Sequence, residues 1–142
     1  MNAEETNAYM KEKMGFLPRM FVAINQIAPP AGQTFADFYA TIFGDGNLSK
    51  KTKELMFMSI GVSYCSPRCI IHVIPAIEAG ATDGEIFEAA AVGMIAAGFV
   101  PNGTGIPYAF EYAAKCMDIA AKHRAGEKWE YLPATQFNRG VY

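Results

Sequence analysis

No apolar run in the 142 residues is long enough to cross a bilayer. The longest, Ala89 to Pro101, spans about 13 residues, against the roughly 20 that a membrane helix needs. Cysteine is scarce: Cys65, Cys69 and Cys116 are too few, and odd in number, for the disulfide framework of a small secreted domain. The opening Met1-Asn2-Ala3-Glu4-Glu5-Thr6 is polar and acidic, without the basic and apolar regions of an export signal. A cytoplasmic protein with no membrane partner is the expectation. Positive charge is not in excess either. With 12 Lys and Arg against 14 Asp and Glu the net charge is −2, so no basic surface invites nucleic acid.

Charge is thinnest in the middle of the chain. Between Glu54 and Ala114 the single Lys or Arg is Arg68. Such a stretch is either a well-buried core or a surface covered in an oligomer. With 51% hydrophobic residues the chain has ample apolar surface for a core. One helical domain over residues 1–142 is expected, with 126–142 as a polar, aromatic tail that suits an arm laid over a neighbouring subunit.

Every readable segment is helical, so the expected fold class is all-α. Ala3 to Met14 reads as a polar helix stopped by Gly15. Pro18 fits the first position of a second helix that reaches about Ile27 and is ended by Pro29-Pro30. Thr34 to Phe43 carries Phe35, Phe38, Tyr39, Ile42 and Phe43 at helical spacing, before Gly44-Asp45-Gly46 breaks the pattern. Ser49 is a natural N-cap for a helix to about Ser63. Ser66 and Pro67 read as N-cap and first residue of the next, which runs to Ala79 with Gly80 at its end; Pro75 should kink it about one turn past His72. Thr82-Asp83-Gly84-Glu85 is a capping box for a helix from Asp83 to about Val100. That helix is apolar on nearly every face and needs burial on all sides, which an oligomer supplies easily. The last helix runs from Ile106 to about Lys122.

Reactive groups concentrate in Cys65-Ser66-Pro67-Arg68-Cys69-Ile70-Ile71-His72, and Glu54 heads the apolar run that leads into them. Thiol redox chemistry needs a thiolate, a group to hold or move its proton, and a second sulfur to resolve the oxidised state. At about 100° per residue, Cys69 and His72 share a face of an α-helix. Cys65 lies just outside that helix and one turn before Cys69. Cα atoms at i and i+4 are roughly 6 Å apart, a separation that a disulfide accepts. As the third helical residue, Cys69 would sit at the positive end of the macrodipole with Arg68 beside it, and both favour a thiolate.

Either thiol taken alone also fits as core filler, because free cysteine is among the most buried residue types. The pair with a histidine nearby tips the balance toward function. A structural zinc site usually takes four ligands, and the remaining soft groups, Cys116 and His123, are distant in sequence. Neither a metal nor a cofactor is expected. Cys116 reads as core, as do Tyr108, Phe110 and Tyr112.

The order of features resembles the carboxymuconolactone decarboxylase and AhpD-like alkylhydroperoxidase superfamily. The resemblance rests on Leu48-Ser49, Lys53-Glu54-Leu55, the cysteine pair, His72, Ala79-Gly80-Ala81-Thr82, Glu85-Ile86 and the glycine-rich Gly103 to Pro107. Gly15-Phe16-Leu17-Pro18 is similar to the peroxidase-related branch. The resemblance implies an AhpD-like helical bundle assembled as homotrimers or homohexamers, with the active site near a subunit interface. It also implies roles: Cys69 attacks peroxide, Cys65 resolves it as a disulfide, and Glu54 and His72 handle the proton. A dithiol or lipoyl-type partner would return the pair to its reduced form. The spacing differs from the family pattern of Cys-x-x-Cys with histidine four residues on. Here it is Cys-x-x-x-Cys with His72 three residues after Cys69. A displacement of one α-helical position turns a side chain about 100° around the axis.

Three activities fit these residues. One is a peroxiredoxin-like thiol peroxidase or disulfide reductase, an antioxidant oxidoreductase built on Cys69 and Cys65. The second is a lactone decarboxylase-type enzyme that acts on a small organic substrate through Glu54 and His72. The third is a non-catalytic oligomeric scaffold of the same fold.

Overall fold

The computed structural model of the chain describes residues 1–98 and 106–128, and every regular element among them is helical. The α-helices are α1 (Ala3–Met14), α2 (Arg19–Ile27), α3 (Pro29–Phe43), α4 (Lys50–Ser63), α5 (Val73–Glu78), α6 (Asp83–Gly98) and α7 (Ile106–Arg124), with a 3-10 turn, Cys69–His72, leading into α5. The all-α expectation holds. No helix among the described residues is long and apolar enough to cross a membrane. The chain divides into two compact units, one ending at Gly46 and the other beginning at Asn47.

In the first unit α1, α2 and α3 all touch one another around Met10, Phe21 and Ala36. Asn2 and Glu5 form a capping box at the start of α1. Two proline expectations shift here. Pro18 is the extended residue before α2 (φ −63°, ψ 133°) and not its first helical one. Pro29 and Pro30 open α3 five residues before Thr34, so they start a helix as well as ending one. The reason is that a first helical turn loses nothing from a missing N–H, and proline's fixed φ is already helical.

In the second unit α4 packs against α6, while the 3-10 turn and α5 lie on α4; α7 packs on α6 and reaches α5. Met58, Val62, Ile70, Val73, Ile86 and Cys116 belong to one buried core. Backbones approach closely where α4 meets α6: a Cβ on Gly93 would fall 2.2 Å from the Ser59 carbonyl oxygen. Ser63 Oγ donates to the Gly93 carbonyl across the same contact, at 2.9 Å. The capping box at Thr82 and Glu85 forms as the sequence implies. Full burial of α6 does not occur within one chain. Ile86, Ala90 and Ala97 are buried, but Phe87, Val92 and Ile95 are exposed. The expected continuation of α6 to Val100 and the tail beyond Lys128 lie outside the described residues.

The single helix expected from Ser66 to Ala79 is replaced by three pieces: a turn at Pro67 and Arg68, the 3-10 segment Cys69–His72, and α5 from Val73. Pro75 therefore falls in the first turn of a new helix, where it removes no bond, instead of kinking an old one.

Candidate active site

The site is built on α4. Ser49 Oγ accepts the Thr52 N–H at 3.1 Å and fixes the start of the helix. Glu54, Phe57 and Gly61 then follow at spacings of three and four and form a row along one face. The 3-10 turn lies on that row. His72 Nδ1 is 2.5 Å from Glu54 Oε2, and its ring centroid is 3.9 Å from that of Phe57. At the other end, a Cβ on Gly61 would come within 2.6 Å of Cys69 Cβ. Cys69 and His72 thus present one side of the turn to one row of α4.

The winding of the turn explains how. A 3-10 helix has 3.0 residues per turn, so side chains at i and i+3 eclipse. Cys69 and His72 are three apart and align in a 3-10 turn as residues four apart nearly do in an α-helix. The shorter spacing in the sequence is matched by a tighter helix in the structure. Ser66 Oγ accepts the Cys69 N–H at 3.3 Å, so the expected N-cap does form, over a turn and not over an α-helix. The expectation of a long helix dipole acting on Cys69 is corrected accordingly: this turn is four residues long, and α5 begins only at Val73. Cys69 is half-buried and Arg68 exposed.

Cys65 is placed differently from the loose position that the sequence suggested. It closes α4. The Cys65 N–H donates to Val62 O at 3.1 Å and the Ser66 N–H to Gly61 O at 2.8 Å, the two bonds of a Schellman motif. Cys65 is its left-handed residue, with φ 50°, and is the non-glycine residue with positive φ among those described. α5 and α7 end in the same motif, with Gly80 (φ 92°) and Gly126 (φ 71°) in that place. A side chain in this conformation costs about 1–2 kcal/mol. Burial pushes the Cys65 thiol up from its ordinary range.

The electrostatics centre on Glu54, 2% exposed, and His72, 4% exposed. Burial pushes the Glu54 carboxyl upward, but hydrogen bonds from His72 and from Lys50, with their charges, outweigh it and hold the group below the usual carboxylate range. Lys50 Nζ lies 3.0 Å from Oε1. Because the carboxylate can only accept, Nδ1 is the donor, and Nε2 is the ring nitrogen that can take up or give a further proton. Cys116 stands apart, fully buried in the core, its thiol pushed up to about 12 by burial.

Of the four residues singled out in the sequence, Glu54 and His72 meet directly, Cys69 packs against Gly61 of the same α4 row, and Cys65 closes α4. Sequence reasoning missed Lys50, Phe57 and Gly61. The Lys50–Glu54 spacing of four was a usable signal, whereas the need for a bare Gly61 under Cys69 appears only in three dimensions. Among the described residues no three His, Cys, Asp or Glu side chains are grouped so as to hold a metal ion. A separate cavity of about 400 Å3 between α6 and α7 is lined by Phe87, Met94, Phe110 and Met117 among others, and by none of the four.

Comparison with known proteins identifies the family and a shared fold. The model of the carboxymuconolactone decarboxylase family matches residues 29–104, just over half of the chain. A crystal structure of a candidate carboxymuconolactone decarboxylase from Burkholderia xenovorans LB400 superposes with a TM-score of 0.61 over 89% of this chain and 96% of that one, at 22% identity. No curated protein matches.

Proposed function

Because the chain belongs to the carboxymuconolactone decarboxylase family, we propose that it is a thiol-dependent peroxidase or disulfide reductase whose attacking group is Cys69. The observation that carries this is the alignment of Cys69 and His72 on one side of a 3-10 turn, with His72 held by the buried Glu54. A thiol is activated by an adjacent base that a third group orients. Glu54 fixes the Nδ1–H tautomer, so Nε2 takes the proton from Cys69. The thiolate sulfur then bonds to one peroxide oxygen as the O–O bond breaks, and the imidazolium returns the proton to the departing alkoxide. Cys69 is left as a sulfenic acid, and the peroxide as an alcohol. The Cys65 sulfur attacks it, forming a disulfide and releasing water. An external dithiol or lipoyl-type reductant restores both thiols. The raised Cys65 thiol argues against Cys65 as the first nucleophile and leaves that part to Cys69.

In this reading the protein works in the cytoplasm as a homotrimer or homohexamer, with no nucleic-acid or membrane partner. Met56 and Ile60 of α4 and Tyr64 at its C-cap, four residues apart, are 48%, 53% and 81% exposed and support assembly.

One observation favours a second reading. The Glu54–His72 pair is complete without either thiol, as acid–base chemistry on a lactone would require. Turnover of cumene hydroperoxide with dithiothreitol separates the two. Thiol chemistry predicts consumption that Cys69→Ser abolishes. Lactone decarboxylation that survives Cys69→Ser and fails in His72→Asn would replace the thiol reading.

A further inference from the structure

A carboxylate as deeply buried as Glu54 is stable only when its charge is answered nearby. Two groups answer it, His72 at Oε2 and Lys50 at Oε1. They differ in kind. A lysine ammonium is a standing cation at neutral pH, whereas an imidazole becomes one only by holding a second proton. Had the carboxylate only the imidazole for company, that second proton would be held tightly, and the ring could take no other. With the ammonium present, one negative and one positive charge already balance.

The placing of Lys50 points the same way. It is the first residue of α4, and Lys51 and Lys53 follow it with no acidic residue in the first turn. Cations there oppose the helix macrodipole by about 0.3–1 kcal/mol each. Lys51 is compensated by Glu85 of α6, at 2.6 Å. Lys50 turns back to a carboxylate one turn into its own helix, with its side chain 46% exposed and the carboxylate 2%.

We propose that Lys50 is a positioning residue of this site, whose ammonium supplies the counter-charge to the buried Glu54 carboxylate so that His72 remains able to accept a proton from Cys69. The proposal rests on the thiol reading above. Among the described residues, Lys50 and His72 are the groups whose hydrogen bonds and charge lower the Glu54 carboxyl. Of the other ionisable groups, Glu85 of α6 is engaged by Lys51, the Cys116 thiol of α7 is pushed up to about 12 by burial, and Arg68 is exposed.

The test is the titration of the His72 ring nitrogens, followed by NMR in 15N-histidine-labelled protein, which has only His123 besides. It is read in the wild type, Lys50→Gln, Lys50→Met and Lys50→Arg. Loss of the charge should move the His72 midpoint up by about one pH unit in both neutral variants, and arginine should restore it. The acid limb of kcat/KM for cumene hydroperoxide should move by the same amount in the same direction. Lys50→Gln keeps a side chain long enough to hydrogen-bond Glu54, so a shift there reads charge and not lost packing. An unmoved midpoint in folded Lys50→Gln and Lys50→Met overturns the proposal whatever the turnover. A wild type inert to the peroxide, with the midpoint still moving, removes the thiol reading and leaves the counter-charge role of Lys50 standing.

Discussion

Cys69 rests on the bare backbone of Gly61: a Cβ added there would lie 2.6 Å from Cys69 Cβ, 3.0 Å from its carbonyl carbon and 3.1 Å from the Ile70 nitrogen. Two of those three neighbours are main chain, so the 3-10 turn itself would have to move. Gly61→Ala is expected to cost about 1–3 kcal/mol in a denaturant melt, as overpacking does, despite the better helix propensity of alanine. It should also slow peroxide turnover, because the thiol is pushed off the row it shares with His72. Unchanged stability would mean that the turn does not lie on Gly61.

At Cys65 the usual ranking of alanine over glycine should invert. Mid-helix, glycine is less stable than alanine by roughly 0.5–1 kcal/mol. At φ 50° the left-handed conformation penalises any side chain, so Cys65→Gly should be about 1 kcal/mol more stable than Cys65→Ala. Thermal melts of the two variants check this. A more stable alanine variant would contradict the positive φ. That a cysteine occupies a place where two sister motifs carry glycine is itself support for its role, since retained backbone strain clusters at functional sites.

The Glu54 carboxyl is held below its ordinary value of 4.5. A group depressed in the native state adds stability above its unfolded value, and that contribution is lost as pH falls through the native one. The wild type should therefore keep its Glu54 contribution down to about pH 4.5 and lose it only below. Glu54→Gln should be destabilised at neutral pH by roughly 3 kcal/mol, because Lys50 and His72 lose the charge they face, and should lack that acid limb. Urea melts between pH 3 and 7 measure both.

Cys116 predicts the opposite limb. Its thiol is pushed from 9.0 to about 12, so the folded chain keeps a proton that the unfolded chain gives up. This contribution is whole below pH 9 and falls as pH rises toward 12, by up to about 4 kcal/mol in total. Cys116→Val, close in size and without a proton to lose, should flatten the alkaline decline in melts from pH 8 to 11.

Much of this was legible in the chain. The caps at Ser49 and Thr82 and the periodicity of α4 and α6 depend on neighbouring residues, so they could be read locally. Glu54, Cys65, Cys69 and His72 stood out because reactive groups are rare here. What could not be read was the winding between them. An α-helix and a 3-10 turn differ by less than one residue per turn, and nothing local in Cys69-Ile70-Ile71-His72 chooses between them. The choice comes from outside: from Gly61, which lets the turn sit down on α4, and from Pro75, which has no N–H to give the Ile71 carbonyl as an unbroken α-helix would require. The same holds for Cys65, whose conformation is set by the end of α4 and not by its own neighbours.

The central claim is that Cys69, aligned with His72 by the 3-10 turn, is the thiol that meets peroxide first. Mass spectrometry of tryptic peptides after one equivalent of hydrogen peroxide, with dimedone present to trap sulfenic acid, tests it directly. Cys65→Ser is expected to carry the adduct on Cys69, and the wild type a Cys65–Cys69 disulfide; Cys69→Ser should leave Cys65 unmodified. An adduct on Cys65 in Cys69→Ser, or no oxidation of Cys69 in either of the other two proteins, would contradict it.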